Sequence, residues 1–253
     1  MKRISLFLLL VVSVLFSNIS QAQTFSLGLR GGISIPNLTG GGSAESNPLN
    51  TGYKSTLGPD AGLFGEYHIS SLFSLKGMLE YSSQGGKKTG MQAFPNQQSQ
   101  QPQYFYADFK SEAKFNYLLV PILAKFGWNL SSHSRLRIYV DAGPFVGFLL
   151  SAHQVTSGSS DVYLDPQGQM PLPPPTPQPT DFDKNTNIKD QLNTFNFGVS
   201  GNVGIAYHFS KSNIFIEGGG NYGLLNIQKG TANGKNQTGA ATVSVGYAYT
   251  FGK

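Results

Sequence analysis

The run Thr242-Val243-Ser244-Val245-Gly246-Tyr247-Ala248-Tyr249-Thr250-Phe251 alternates without a break between apolar and small or polar residues. In extended backbone, successive side chains leave on opposite faces. One face therefore carries Val243, Val245, Tyr247, Tyr249 and Phe251, and the other Thr242, Ser244, Gly246, Ala248 and Thr250. An amphipathic helix places its apolar residues three and four apart; here they fall two apart throughout, so the run is a strand with a different environment on each side.

Working back from this run, the same period recurs in six of the seven other strand segments. In 24–35, Phe25, Leu27 and Leu29 oppose Ser26, Gly28 and Arg30. In 57–68, Ala61, Leu63 and Tyr67 oppose Gly62 and Glu66, and in the third strand Phe73, Leu75, Leu79 and Tyr81 oppose Ser74, Lys76, Met78, Glu80 and Ser82. The fifth sets Ile138, Val140, Ala142 and Val146 against Arg137, Tyr139, Asp141 and Gly143. The sixth (195–207) and seventh (214–222) behave alike, with Glu217 and Asn221 on the polar face of the seventh. The fourth, 112–128, is more apolar and contains Pro121. Proline has no N–H for a ladder bond, so a bulge or a change of phase is expected there.

The connections alternate in length. Ile69-Ser70-Ser71, 129–134 and 210–213 are short, whereas 36–56, 84–111, 151–194 and 225–239 are long. That alternation predicts an all-β fold: an eight-stranded antiparallel up-and-down transmembrane β-barrel with short periplasmic turns and long extracellular loops. Both termini then fall on the periplasmic side. Rings are expected in two girdles where lipid meets water. Phe25, Tyr67, Phe73, Trp128, Tyr207 and Phe251 fall near the periplasmic rim, and Tyr81, Phe115, Phe148, Phe197 and Tyr222 near the outer one. A soluble β-sandwich has the same alternation, but eight successive strands would keep an apolar aromatic face with no second domain to cover it.

Composition and the first residues agree. Lys2 and Arg3 precede a nearly unbroken apolar run, 6–16, and Ser20-Gln21-Ala22 supplies small residues for a cleavage site. The expected organisation is a signal peptide over 1–22 and a barrel domain over 23–253, in the outer membrane of a bacterial cell. The apolar run is too short to span a hydrocarbon layer of about 30 Å as a helix. The chain has no cysteine, which removes disulfides and thiolate chemistry. Only 12% of residues are charged while 31 are Gly, 18 Phe and 12 Tyr; a soluble domain carries roughly twice that charged share. Without Lys2 and Arg3, the 18 basic side chains become 16 against 13 acidic, a scattered balance of +3. No basic stripe with interleaved rings is present, so nucleic acid is not an expected partner.

The segments TFSLGLRGGIS (24–34), FNYLLVPILAKFGW (115–128), DAGPFVGFLL (141–150) and FNFGVSGNVGIAYHF (195–209) resemble PorT-like outer-membrane β-barrel proteins of Bacteroidetes, barrels of the OmpA type. The resemblance runs over nearly all of 23–253, and its most specific pieces are the Pro121 strand and Ala142-Gly143-Pro144. It implies an outer-membrane barrel without assigned catalysis, an accessory of secretion or surface assembly, and recognition of a terminal aromatic residue by barrel-insertion machinery. Here Phe251 is followed by Gly252 and Lys253, an offset of two residues from that pattern.

The residues point to no catalytic, cofactor or metal site. His68, His133 and His208 fall at separate periplasmic turns and His153 at the base of an outer loop, which is not the clustering a metal needs. Gly40-Gly41-Gly42 and Gly218-Gly219-Gly220 lack the following Gly-Lys-Ser/Thr of a phosphate loop. An outer-rim nucleophile, as in lipid-modifying barrels, would need His153 with Ser151, Asp161 or Asp165, and no motif supports the set. The polar face of the strands carries Arg30, Glu66, Lys76, Glu80, Arg137, Asp141 and Glu217, which are expected to meet inside the barrel as a structural lumen cluster. An eight-stranded barrel is just wide enough for side chains to fill, so mixed charges there are expected to pair and plug it. The expected function is an outer-membrane scaffold or interaction protein. Its partners would be membrane lipid and envelope proteins reached through long loops, including the Pro-rich 170–179, a polyproline II candidate. A narrow pore is the alternative and an outer-rim enzyme the third reading.

Overall fold

The computed structural model describes residues 24–40, 49, 52–95, 104–131, 134–173, 179–230 and 235–252. The expected leader, the Gln- and Ser-rich stretch 97–103, His133 and residues 174–178 of the Pro-rich segment lie outside the described residues. Eight long strands follow one another: β1 (Thr24–Gly40), β2 (Gly58–His68), β3 (Phe73–Pro95), β4 (Tyr104–Asn129), β5 (Leu136–Ser157), β6 (Phe195–His208), β7 (Ser212–Gly223) and β8 (Asn236–Phe251). Each pairs antiparallel with the next, and β1 also pairs with β8, so the sheet closes on itself. Closure pairs the strands on both sides and removes the barrel's free edges.

The alternation read from the sequence sets the two faces. Leu29, Leu63, Val203 and Val245 are 55–64% exposed on the outside, while Phe64, Met78, Tyr139, Ala206, Phe215 and Ala248 are buried inside. Rings mark the turn end of the outer face: Phe25 lies between Tyr67 and Phe251 in register, and Phe73 packs on Phe126 at 4.9 Å. At the other end Tyr81, Phe148, Phe197 and Tyr222 are exposed. Phe115 is not among them. It is 2% exposed and points inward with Tyr117 and Leu119, because the inner phase of β4 runs through the odd-numbered residues from Ala113 to Leu123.

Pro121 changes neither phase nor register. The pairing of β4 with β3 omits Val120 and Pro121 and resumes unshifted, so the missing N–H falls where the ladder makes no bond. The irregularity lies elsewhere, at Asn116/Tyr117 opposite β5. The long connections also differ from simple loops. Strands β3 and β4 stay paired to Pro95–Tyr104, so 83–95 extends the hairpin by roughly 40 Å of strand. Strand β5 follows β4 as far as Lys110–Ser157, and a short strand, Lys184–Asn187, pairs with β5 in turn. Phe94, Phe105, Phe109 and Phe182 cluster on this projection, with Phe109 stacked on Phe182 at 4.5 Å.

The abundance of glycine has a packing cause inside the barrel. A Cβ on Gly246 would lie 2.2 Å from Phe215 Cζ, and one on Gly204 2.3 Å from Tyr139 Cζ. Each ring thus fills the space left by a missing side chain on the neighbouring strand, the small-against-large packing by which a narrow barrel is filled. Gly246→Val is expected to lower the unfolding free energy of the refolded barrel by about 1–3 kcal/mol or more through overpacking. The measurement is urea unfolding followed by the fluorescence of Trp128, the one tryptophan of the chain; an unchanged midpoint would contradict this packing.

Candidate functional site

The interior is filled in layers. In the middle layer, Arg30 on β1 pairs with Glu217 on β7 at 2.5 Å, Glu80 on β3 at 3.0 Å and Asp60 on β2 at 3.3 Å. Lys76 on β3 pairs with Asp141 on β5 at 2.5 Å and faces Glu217 at 3.6 Å. Tyr139 donates its hydroxyl to Glu217 Oε2 at 2.7 Å, and Asn202 on β6 donates to Asp141 Oδ1 at 2.7 Å. These charged side chains are at most 2% exposed. Charges taken from water at this cost persist when each carboxylate meets a cation or a donor.

A separate cluster lies nearer the turn end. Glu66 accepts from Lys125 Nζ at 2.8 Å and from Ser74 Oγ at 2.6 Å, and Lys125 lies over the Tyr139 ring at 4.1 Å. Towards the loop end, Gln84 donates to Asn221 across the barrel at 3.0 Å. Above it the lumen turns apolar: Phe115, Tyr117, Leu119, Phe145 and Leu149 form a plug with Leu192 and Ile227. Those last two come from the outer connections. Asn193 N–H bonds to Ile227 O at 2.8 Å and Ile227 N–H to Asn236 O at 2.9 Å, which folds both segments over the mouth with Leu192 and Ile227 each 1% exposed.

Of the seven residues expected to meet in the lumen, Arg30, Lys76, Glu80, Asp141 and Glu217 share one network. Glu66 belongs to the turn-end cluster instead. Arg137 stands at the turn-end mouth, donating to Ser71 O at 2.6 Å. The lumen set expected from the sequence omits Asp60, Lys125, Tyr139 and Asn202, although Tyr139 and Asn202 read on the polar faces of their strands. Asp60 was accessible to sequence reasoning, being in phase with Gly62 and Glu66 on β2. Lys125 was obscured by the apolar run before it.

The histidines do not all stand apart: His68 and His208, at the ends of β2 and β6, line one cavity. No group of three metal-ligating side chains occurs among the described residues. At the outer rim, His153 Nδ1 lies 3.1 Å from Asn185 Oδ1, whereas Ser151 Oγ accepts from Asn116. The Asp165 carboxylate is held by the backbone N–H groups of Gln167, Gln169 and Met170. Desolvation pushes its pKa up, and the amides together outweigh that and hold it below the usual aspartate value. The structure therefore does not assemble His153 with Ser151 or Asp165 into a nucleophile and base.

Replacing Lys76 by Met leaves Asp141 and Glu217 short of a buried cation, and is expected to cost about 3–5 kcal/mol of stability. Lys87→Met, at an exposed position of the projecting hairpin, is expected to cost less than about 0.5 kcal/mol. Equal unfolding midpoints for the two variants would contradict the structural role of the network.

The chain is similar to the crystal structure of Neisserial surface protein A, with 13% identity and a TM-score of 0.38 over 90% of this chain and 97% of that one. It is also similar to the outer membrane protein OprG from Pseudomonas aeruginosa, with 12% identity and a TM-score of 0.37 over 90% and 96% of the two chains. A third similar structure is the outer membrane protease OmpT from Escherichia coli, with 9% identity and a TM-score of 0.34 over 93% and 99%. No curated protein matches the chain. The model of the family described as outer membrane protein beta-barrel domain matches residues 20–229. With that match over most of its length, on a closed eight-stranded barrel with an apolar outer belt, the chain belongs to the outer membrane protein beta-barrel domain family and resides in the outer membrane.

Proposed function

We propose that this outer-membrane protein is a sealed scaffold that engages other envelope proteins through its extracellular projection, with no catalysis of its own. The observation that carries this reading is the double closure of the interior. A paired ionic layer centred on Glu217 is followed by an apolar plug capped by Leu192 and Ile227. A path through the barrel would have to break both. The features left for function are then the two ends, and at the outer end the β3–β4 hairpin projects with Phe94, Phe105 and Phe109 packed against Phe182 of the following outer connection. A role as an accessory of secretion or surface assembly draws its support from the PorT-like resemblance. Phe251, on the final strand at the rim, is the residue this reading assigns to recognition by insertion machinery.

A narrow pore is the second reading, and one observation favours it. The middle layer holds four carboxylates, Asp60, Glu80, Asp141 and Glu217, against the two cations Arg30 and Lys76. A lumen of that sign, if opened, would select cations. An outer-rim lipid-modifying activity ranks below both, since His153 is engaged with Asn185.

The test is mild extraction of the tagged protein from native outer membrane, with identification of what stays bound, alongside planar-bilayer recording of the purified protein. The scaffold reading predicts envelope proteins in stoichiometric amount, lost when 90–109 is replaced by a two-residue turn, and no steady conductance. A solitary protein giving discrete conductance steps would overturn it in favour of the pore.

A further inference from the structure

We propose that the periplasmic mouth of the barrel is a binding site for a phosphate-class oxyanion, held by Arg137, Lys211 and His208. The mouth is a cavity of about 550 Å³ at the turn end, lined by these residues with Glu66, His68 and Lys125. Its floor is closed by Tyr139 and Ala206, which seal it from the lumen.

The charge of this cavity is uncompensated. Glu66 is its one carboxylate among the described lining residues, and Lys125 and Ser74 already occupy both oxygens. Arg137 spends one N–H on the Ser71 carbonyl. Neither it nor Lys211 has a carboxylate within 4 Å among the described residues. Three cations against one carboxylate leave two positive charges at a concave surface whose protein walls concentrate the field. The Arg137 guanidinium is a planar fork of donors matched to two oxygens of one anion. His208 adds a polar group with a stated need: its Nε2 is buried and has no hydrogen-bond partner. As the Nε2–H tautomer it is a donor lacking an acceptor, a costly arrangement that an oxyanion would relieve.

This pattern selects among ligands. A metal cation would meet three like charges. A single carboxylate would neutralise only half of the excess. A phosphate dianion or phosphomonoester matches both the charge and the donors. The same chemistry reaches the periplasmic mouth from two sources, free phosphate and the phosphoryl group of a headgroup. The inference stands apart from the scaffold reading, because it concerns the opposite end of the barrel.

The test uses the full chain in phosphate-free maltoside micelles, titrated calorimetrically at constant ionic strength with inorganic phosphate and separately with glycerol 3-phosphate. Saturable one-site binding is expected, weakened about tenfold or more by Arg137→Gln and by Lys211→Gln, and unchanged by Lys87→Gln on the outer hairpin. Lys211 is exposed on a turn, so its variant keeps the measurement open should Arg137→Gln fail to fold. Binding of both probes assigns the site to phosphoryl groups in general, including headgroups; binding of inorganic phosphate alone assigns it to the free ion. No saturable binding of either probe, or binding that survives both substitutions, would overturn the proposal.

Discussion

Glu217 accepts hydrogen bonds from Arg30 and Tyr139 and faces Lys76, and through these partners it joins strands from opposite sides of the barrel. Arg30 carries the connection on to Asp60 and Glu80, and Lys76 carries it to Asp141 and Asn202. Six of the eight strands thus contribute to one buried ionic layer. A closed sheet with lipid outside has no aqueous core to collapse around, so its register is fixed by backbone pairing and by what meets across the lumen. A one-residue slip of β1, β2, β3, β5 or β7 would turn its charge from the lumen to lipid, where the penalty is several kcal/mol.

The rest of the interior follows from that layer. Aromatic side chains beside it fit only because Gly204 and Gly246 are bare. Towards the outside, polar pairing gives way to an apolar plug into which the third and fourth outer connections fold Leu192 and Ile227. An interior filled in this way leaves the ends to carry function. The outer end presents a paired, aromatic projection, and the periplasmic end a basic recess.

Much of this was legible in the amino-acid sequence. The period of two along 242–251 and its counterparts on six other strands set their phases, and the alternating connection lengths set the topology. Arg30, Lys76, Glu80, Asp141 and Glu217 could be assigned to one interior because a charge on the polar phase of a barrel strand has nowhere else to go. What stayed hidden had physical reasons. Phe115 reads as a rim residue because a ring suits either a membrane interface or a packed core, and Glu112, Lys114 and Asn116 on the opposite face look like the polar, lumen-facing phase of the strand. The segment 84–95 reads as a loop from its Gly-Gly-Lys-Lys and becomes strand only through its cross-strand partners on β4. That Glu66 and Arg137 stand apart from the central network depends on their height along the barrel, which follows from pairing register and not from phase alone.

The central claim is that Arg30 and Glu217 act as one buried unit, and a double-mutant cycle tests it most directly. The unfolding free energies of Arg30→Met, Glu217→Gln and the combined variant would be measured in the same micelles by urea titration. Coupling between the two sites of at least about 1 kcal/mol is the predicted result, with the double variant losing less than the single losses added together. Strictly additive losses would mean that the two side chains do not stabilise one another, and would contradict the account.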